Sequence, residues 1–159
     1  MLDDTQSGGP TCAETLAEVA AQVLEEAAFI FTEPMESAPP TDPTLQGSLD
    51  FNGSDGGQLL MFAPPDFGIK LAANLLGVDP DDEMVSTHAA DAMGEMLNIL
   101  SGVLLERWHG PQASCQLGVP QVTTVTAQLA LAATQKATCC VSLMADDEHP
   151  IQLAVILAK

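Results

Sequence analysis

Residues 79–110 read "DPDDEMVSTHAADAMGEMLNILSGVLLERWHG". Met93, Met96, Leu97, Leu100, Val103, Leu104 and Trp108 recur at spacings of three and four, the signature of one face of a long helix. Pro80, Asp81, Asp82 and Glu83 suit the positive end of such a helix, and Gly110–Pro111 stop it. Within the same helix the apolar face is interrupted by Asp91, Glu95 and Asn98, and two interior positions are glycine, Gly94 and Gly102. The helix therefore has two questions attached: what its buried side packs against, and what its polar side is for.

The segments on either side answer the first. Immediately before it, "PPDFGIKLAANLLG" predicts a second helix, with proline at its start, Phe67, Leu71 and Leu75 on one face, and Gly77 as the stop. Ahead of that, two β-prone runs in "LQGSLDFNGSDGGQLLMFAP" flank a turn rich in residues that tolerate positive φ, which predicts a hairpin. Further back, "TCAETLAEVAAQVLEEAAFIF" has helical periodicity from Thr11 to about Phe31, with Leu16, Val19, Ala20, Val23, Leu24 and Ala27 along one side. Thr11 with Glu14 forms a capping box that marks the start. The proline-rich "TEPMESAPPTDPT" reads as the loop that ends this helix, and residues 1–10 read as a disordered tail. After the long helix, "ASCQLGVPQVTTVTAQLALAA", "TCCVSLMADD" and "IQLAVILAK" are β-rich by composition, the last two joined through a turn at "ADDEHP". Periodicity leaves "QLALAA" open between strand and helix. The order αββααβββ predicts an α+β fold: a single domain over residues 11–159, with a mostly antiparallel sheet packed against long helices.

Composition limits the partners. The chain has 159 residues, enough for one well-cored domain, with four Lys plus Arg against 22 Asp plus Glu, a formal charge of −18. Such a chain is repelled by nucleic-acid phosphates and by anionic lipid, so neither nucleic acid nor membrane insertion is expected. No apolar run approaches bilayer-spanning length and the amino terminus has no apolar signal core, which predicts a cytoplasmic protein. Cys12, Cys115, Cys139 and Cys140 show no CxxC spacing, and adjacent cysteines bridge only with strain, so reduced and mostly buried thiols are expected. His88, His109 and His149 are scattered without metal-ligand spacing, His109 reading as a helix-end residue; Met84, Met93 and Met96 read as core.

The polar stripe carries the second question. At 100° per residue, Glu95 lies about 40° to one side of Asp91, Asn98 about 20° to the other, and Gly102 between them. Polar residues at this spacing are also what any amphipathic helix turns to solvent. Each interior glycine, however, costs roughly 1 kcal/mol relative to alanine, and a solvated face does not require one. Gly94 and Gly102 beside acceptors and an amide are what would let another surface approach closely.

In these residues the chain resembles the CheC/CheX/FliY family of chemotaxis phosphatases. The family motif is Asp or Ser, three residues, Glu, two residues, Asn, and then a proline some two dozen residues on; here it reads Asp91, Glu95, Asn98 and Pro120, with Gly102 four after the Asn. The strand–helix unit "GSDGGQLLMFAPPDFGIKLAANLLG" that precedes it is similar too, so the likeness extends over roughly residues 45 to 121. Some members carry the motif twice; here Glu14, Glu18 and Ala21 keep the spacing without the Asn, and a single intact copy resembles CheX most. The resemblance implies a CheC/CheX-like fold, a homodimer, and hydrolysis of the aspartyl phosphate of a phosphorylated CheY-type response regulator in chemotaxis signalling. It implies that Asn98 orients the attacking water and that Glu95 pairs with the regulator's lysine. Asp91, Gly94 and Gly102 would bind the partner. The chain would need no cofactor of its own, with Mg2+ held in the regulator's acidic pocket. The alternative is a non-catalytic module of the same fold that docks a response regulator or a motor component through the stripe.

Overall fold

The structure is a computed structural model that describes residues 11–37, 40–53, 56–111 and 114–158. The tail expected over residues 1–10 lies outside the described residues. The first helix begins where its capping box places it: the Thr11 hydroxyl accepts from the Glu14 N–H at 3.1 Å, and the Glu14 carboxylate accepts from the Thr11 N–H at 3.2 Å. This helix, α1 (Cys12–Ala28), buries Leu16, Val19, Ala20, Val23 and Leu24. It ends at Ala28 rather than Phe31, because Phe29 turns left-handed at φ 55° and its N–H bonds the Glu25 carbonyl.

The stretch expected to be only a loop contains a short strand, β1 (Thr32–Met35). β1 pairs antiparallel with a strand more than a hundred residues away, placing Pro34 opposite Leu143, and it forms one edge of the sheet. Proline is tolerated on an edge because one side of the strand has no ladder to join. The predicted hairpin is present as β2 (Thr44–Asn52) and β3 (Gly57–Ala63), in register from Leu45–Ala63 to Phe51–Gly57. Residues 54–55 of its turn are outside the described set. Next come α2 (Pro65–Leu76), stopped by Gly77 at φ 72°, and α3 (Glu83–His109), begun by the Asp82 carboxylate accepting from the Met84 N–H at 2.9 Å.

Beyond α3 lie β4 (Gln116–Leu117) and β5 (Gln121–Val125), both paired with β2. The open stretch "QLALAA" is helical: α4 (Ala127–Gln135), with Thr126 capping it through the Leu129 N–H. Only Ala130 of α4 is buried, so the stretch has no apolar stripe for a periodicity to reveal. β6 (Cys139–Ala145) and β7 (His149–Leu157) close the chain as the predicted hairpin. The sheet has seven strands in the order β1-β6-β7-β3-β2-β4, with β5 also on β2, and every pairing is antiparallel.

Alternation along the strands divides the core. Leu59, Met61, Leu143, Ile151, Leu153 and Val155 face α1, α2 and α3 in the main core, whereas Leu60, Phe62 and Ala154 meet Ala130 of α4 in a smaller cluster on the other face. The fold is thus the α+β single domain the sequence predicts, with β1, α4 and one further strand after α3 added to the expected order.

Two further expectations fail. Cys12 and Cys139 form a disulfide rather than a pair of reduced thiols, joining the first turn of α1 to the first residue of β6, 127 residues later. A separation that long leaves no local motif to read. Met84 is 53% exposed rather than core, because it lies on the outward side of the first turn of α3, whose inward side buries Val85.

Candidate functional site

α3 owes its position to its apolar side. Met93, Met96, Leu97, Leu100 and Leu104 are buried in the main core, so the opposite side of the same turns is held outward. Asp91 and Glu95 are exposed there and Asn98 is half-buried. Together with Ala90 and Gly94 they form one wall of an open cleft of about 350 Å³. Pro120 and Val122 form the other wall. Val122 lies in β5 and Pro120 directly precedes it, and the sheet holds this segment in place by pairing Gln121 with Ser48 and Val122 with Gly47. Pro120, distant in sequence from Asn98, is therefore brought to the same cleft by an independent element.

The glycines have distinct places. A Cβ on Gly94 would stand 3.5 Å from Pro120 Cγ, so this buried position is where the β5 segment rests against the helix. Gly102 is exposed with nothing within 4 Å of an added Cβ, and it lines a neighbouring hollow with Leu105, Glu106 and Cys115 rather than the cleft itself. Among the described residues, Asp91, Glu95 and Asn98 have no hydrogen-bond or ion-pair partner, which leaves two carboxylates and one amide free to engage an incoming molecule. Ala90 and Val122 also line the cleft, and sequence reading passed over them because small and apolar residues carry no chemical signal.

Other candidates are occupied elsewhere. His88 Nδ1 lies 2.8 Å from the Met84 carbonyl, and the His149 ring packs edge-on against Phe67 at a centroid distance of 6.0 Å. Burial pushes the Cys140 thiol up from its ordinary pKa of 9.0, away from the reactive thiolate. The half-relic of the motif on α1 has structural work: Glu14 caps the helix, and Glu18 lies 3.8 Å from Arg107 of α3. Among the described residues no cluster of three or more His, Cys, Asp or Glu could hold a metal ion, and no helix is long and apolar enough to cross a membrane. A larger hollow of about 420 Å³ along β1 and β6 contains no member of the stripe; the cleft stands out by its chemistry, not by its size.

A family model described as "Chemotaxis phosphatase CheX" matches residues 45–144, which include every strand and helix around the cleft from β2 to β6. The chain belongs to the CheX family. The match includes Asp91, Glu95, Asn98 and Pro120 together. Solved CheX and related structures share the fold. A CheX from Desulfovibrio desulfuricans superposes with a TM-score of 0.68 at 15% identity, over 92% of this chain and 98% of that one. A CheX from Borrelia burgdorferi, solved as a complex with CheY, BeF3 and Mg2+, gives 0.66 at 16% identity, over 92% and 97%. FliY from Thermotoga maritima gives 0.57 at 13% identity, over 96% and 93%. No curated protein matches the chain.

Proposed function

We propose that the protein hydrolyses the aspartyl phosphate of a CheY-type response regulator, using the cleft on α3. The carrying observation is that Asp91, Glu95 and Asn98 share one open cleft with Pro120, which a separate strand delivers. Membership of a family described as a chemotaxis phosphatase supports the reaction, and the Borrelia CheX–CheY complex supports the partner.

The chemistry asked of such a surface is modest. Water attacks phosphorus, the bond to the aspartyl oxygen breaks, and inorganic phosphate leaves with the regulator's carboxylate restored. The demands are an in-line water and neutralised charge, not a covalent intermediate on the second protein. Asn98 suits the first because a carboxamide both donates and accepts hydrogen bonds without titrating. Glu95, one turn earlier, pairs with the regulator's active-site lysine and draws it from the phosphoryl group. Asp91 adds docking charge. Mg2+ is supplied by the regulator's own acidic pocket, and the protein works in the cytoplasm beside its regulator as a homodimer.

The test is the decay of a phosphorylated CheY-type regulator from the source organism with and without the protein. The protein should accelerate decay, and Asn98→Ala should lower that acceleration on the order of 10²-fold, the scale for losing one positioned polar group. Decay at the wild-type rate with Asn98→Ala would reduce the stripe to a docking face and leave a non-catalytic module.

A further inference from the structure

Beside the cleft, α2 and α3 part to leave a second hollow of about 220 Å³. Ala72, Leu75 and Leu76 of α2 and Ala92 of α3 form its apolar lining, with His88 on its rim beside Asp91 and Glu95, which also stand in the cleft. Its volume is below the range of pockets for drug-sized ligands, roughly 300–1,000 Å³, and suits a single apolar side chain. Leu76 remains 42% exposed, although α2 could have turned a polar residue outward at that position. Met84, 53% exposed, lies on the same helical face as His88 and Asp91, at the four- and seven-residue spacing, and extends the apolar surface.

Charge narrows the occupant. From Leu71 to Glu106 the chain carries seven carboxylates and no lysine or arginine. A second copy of this chain, or another acidic segment, would meet like charge around the groove; a basic partner would not. Because Asp91 and Glu95 belong to both hollows, a protein seated on the cleft covers the groove in the same act.

We propose that the α2–α3 groove receives an apolar side chain of the response regulator, flanked there by a basic residue, and so selects which regulator is dephosphorylated. This rests on the phosphatase reading above and assigns its specificity to α2 rather than to the reacting residues. Burying one leucine-sized side chain supplies enough free energy for discrimination of about tenfold or more between regulators that carry it and those that do not.

The experiment measures steady-state dephosphorylation over a range of phosphorylated regulator concentrations, for the wild type, Leu76→Ser and the control Leu129→Ser on the far face of the sheet. Leu76 and Leu129 are both substantially exposed, so neither change should disturb folding. Leu76→Ser should raise KM about tenfold with kcat within about twofold of wild type, and Leu129→Ser should change neither. An unchanged KM with Leu76→Ser, in a wild type that is active, overturns the groove alone. A wild type that neither dephosphorylates the regulator nor binds its beryllofluoride adduct overturns the phosphatase reading and the groove with it. A change in sedimentation mass with Leu76→Ser, at constant KM, would assign the groove to a second copy instead.

Discussion

Glu95 and Asn98 stand one turn apart in the same cleft, yet the proposed reaction asks different things of them. An amide that positions water contributes only once the partner is seated, so its loss appears in rate and not in docking. A carboxylate that holds a lysine across an interface contributes to docking as well. Glu95→Ala should therefore weaken binding of a beryllofluoride-charged regulator roughly 30-fold or more, the scale for a buried interfacial charge pair that loses one partner, in addition to slowing turnover. Glu95→Gln should recover little, since the lysine requires charge and not merely an acceptor; binding titrations of the two variants side by side decide this, and full recovery with Gln would remove the ion pair from the mechanism. The glycines separate in the same way. Gly102 has open space around an added Cβ and ordinary helical surroundings, so Gly102→Ala should stabilise the protein by about 0.5–1 kcal/mol in denaturant unfolding. If the partner's surface comes close to the helix there, the same variant should raise KM. A variant that is more stable with KM unchanged would show the glycine to be without a role in docking.

At the level of elements, what the sequence made legible was what local chemistry controls. The capping box at Thr11, the stop at Gly77 and the acidic start of α3, where Asp82 proves to be the cap, act over a few residues, and each is found where the sequence places it. The stripe was legible for the same reason: four positions on one helix need only the helix to share a face. β1 was not, because its four residues are a strand only by pairing with β6, and no pattern within "TEPM" encodes that partner. Nor was α4, which buries a single alanine, Ala130, and turns Leu129 and Leu131 outward, inverting the pattern that marks an amphipathic helix. The distant elements are instead tied by charge. Lys70 of α2 lies 2.8 Å from Asp146 and 3.4 Å from Glu148 in the β6–β7 turn, and Asp146 also accepts from the Phe31 N–H at 2.8 Å, ahead of β1. Burial opposes ionisation of Asp146, but the hydrogen bonds from Lys70 and Phe31 and the nearby positive charge outweigh it and hold the carboxyl below its ordinary 3.8. The hydrogen bond to Asp146, against a smaller opposing effect of burial, raises Lys70 above its ordinary 10.5. A depressed carboxyl stabilises the fold above its unfolded pKa and loses that contribution as pH falls through its folded value; a raised lysine stabilises below its unfolded pKa and loses it as pH rises through its folded one. Asp146→Asn, which keeps the acceptor for Phe31, should be less stable than wild type at neutral pH, and the difference should shrink as the pH is taken below 3.8. Unfolding free energies measured from neutral pH into acid check this, and a difference constant with pH would mean the clamp is not electrostatic.

For the molecule as a whole, two constraints act against each other's background: a charge of −18 that resists compaction and association, and a covalent tie between the first helix and the sheet. Two such chains repel, so the proposed homodimer should be favoured by salt, which screens that repulsion within about a Debye length. Sedimentation at micromolar concentration should give a dimer whose population grows from low to physiological salt; a monomer throughout would remove the dimer. The disulfide works within one chain. Cys12 opens α1 and Cys139 opens β6, and their separation of 127 residues makes the closed loop nearly the length of the domain. Cross-linking so distant a pair restricts the unfolded chain far more than the folded one, with typical effects of about 2–4 kcal/mol. α1 carries much of the main core, and the disulfide adds a covalent tie to its side-chain packing on the sheet. Reduction should lower the unfolding free energy by about that amount while leaving the far-ultraviolet spectrum of the folded state unchanged. The Cys12→Ala, Cys139→Ala double variant should match the reduced protein and no longer respond to reductant. Under reducing conditions the stability that governs the protein is then that of the open chain, and the cleft, carried on α3 and the β5 segment away from the disulfide, should keep the proposed activity. Oxidised and reduced samples with the same unfolding midpoint would show that the two thiols are not bridged in solution.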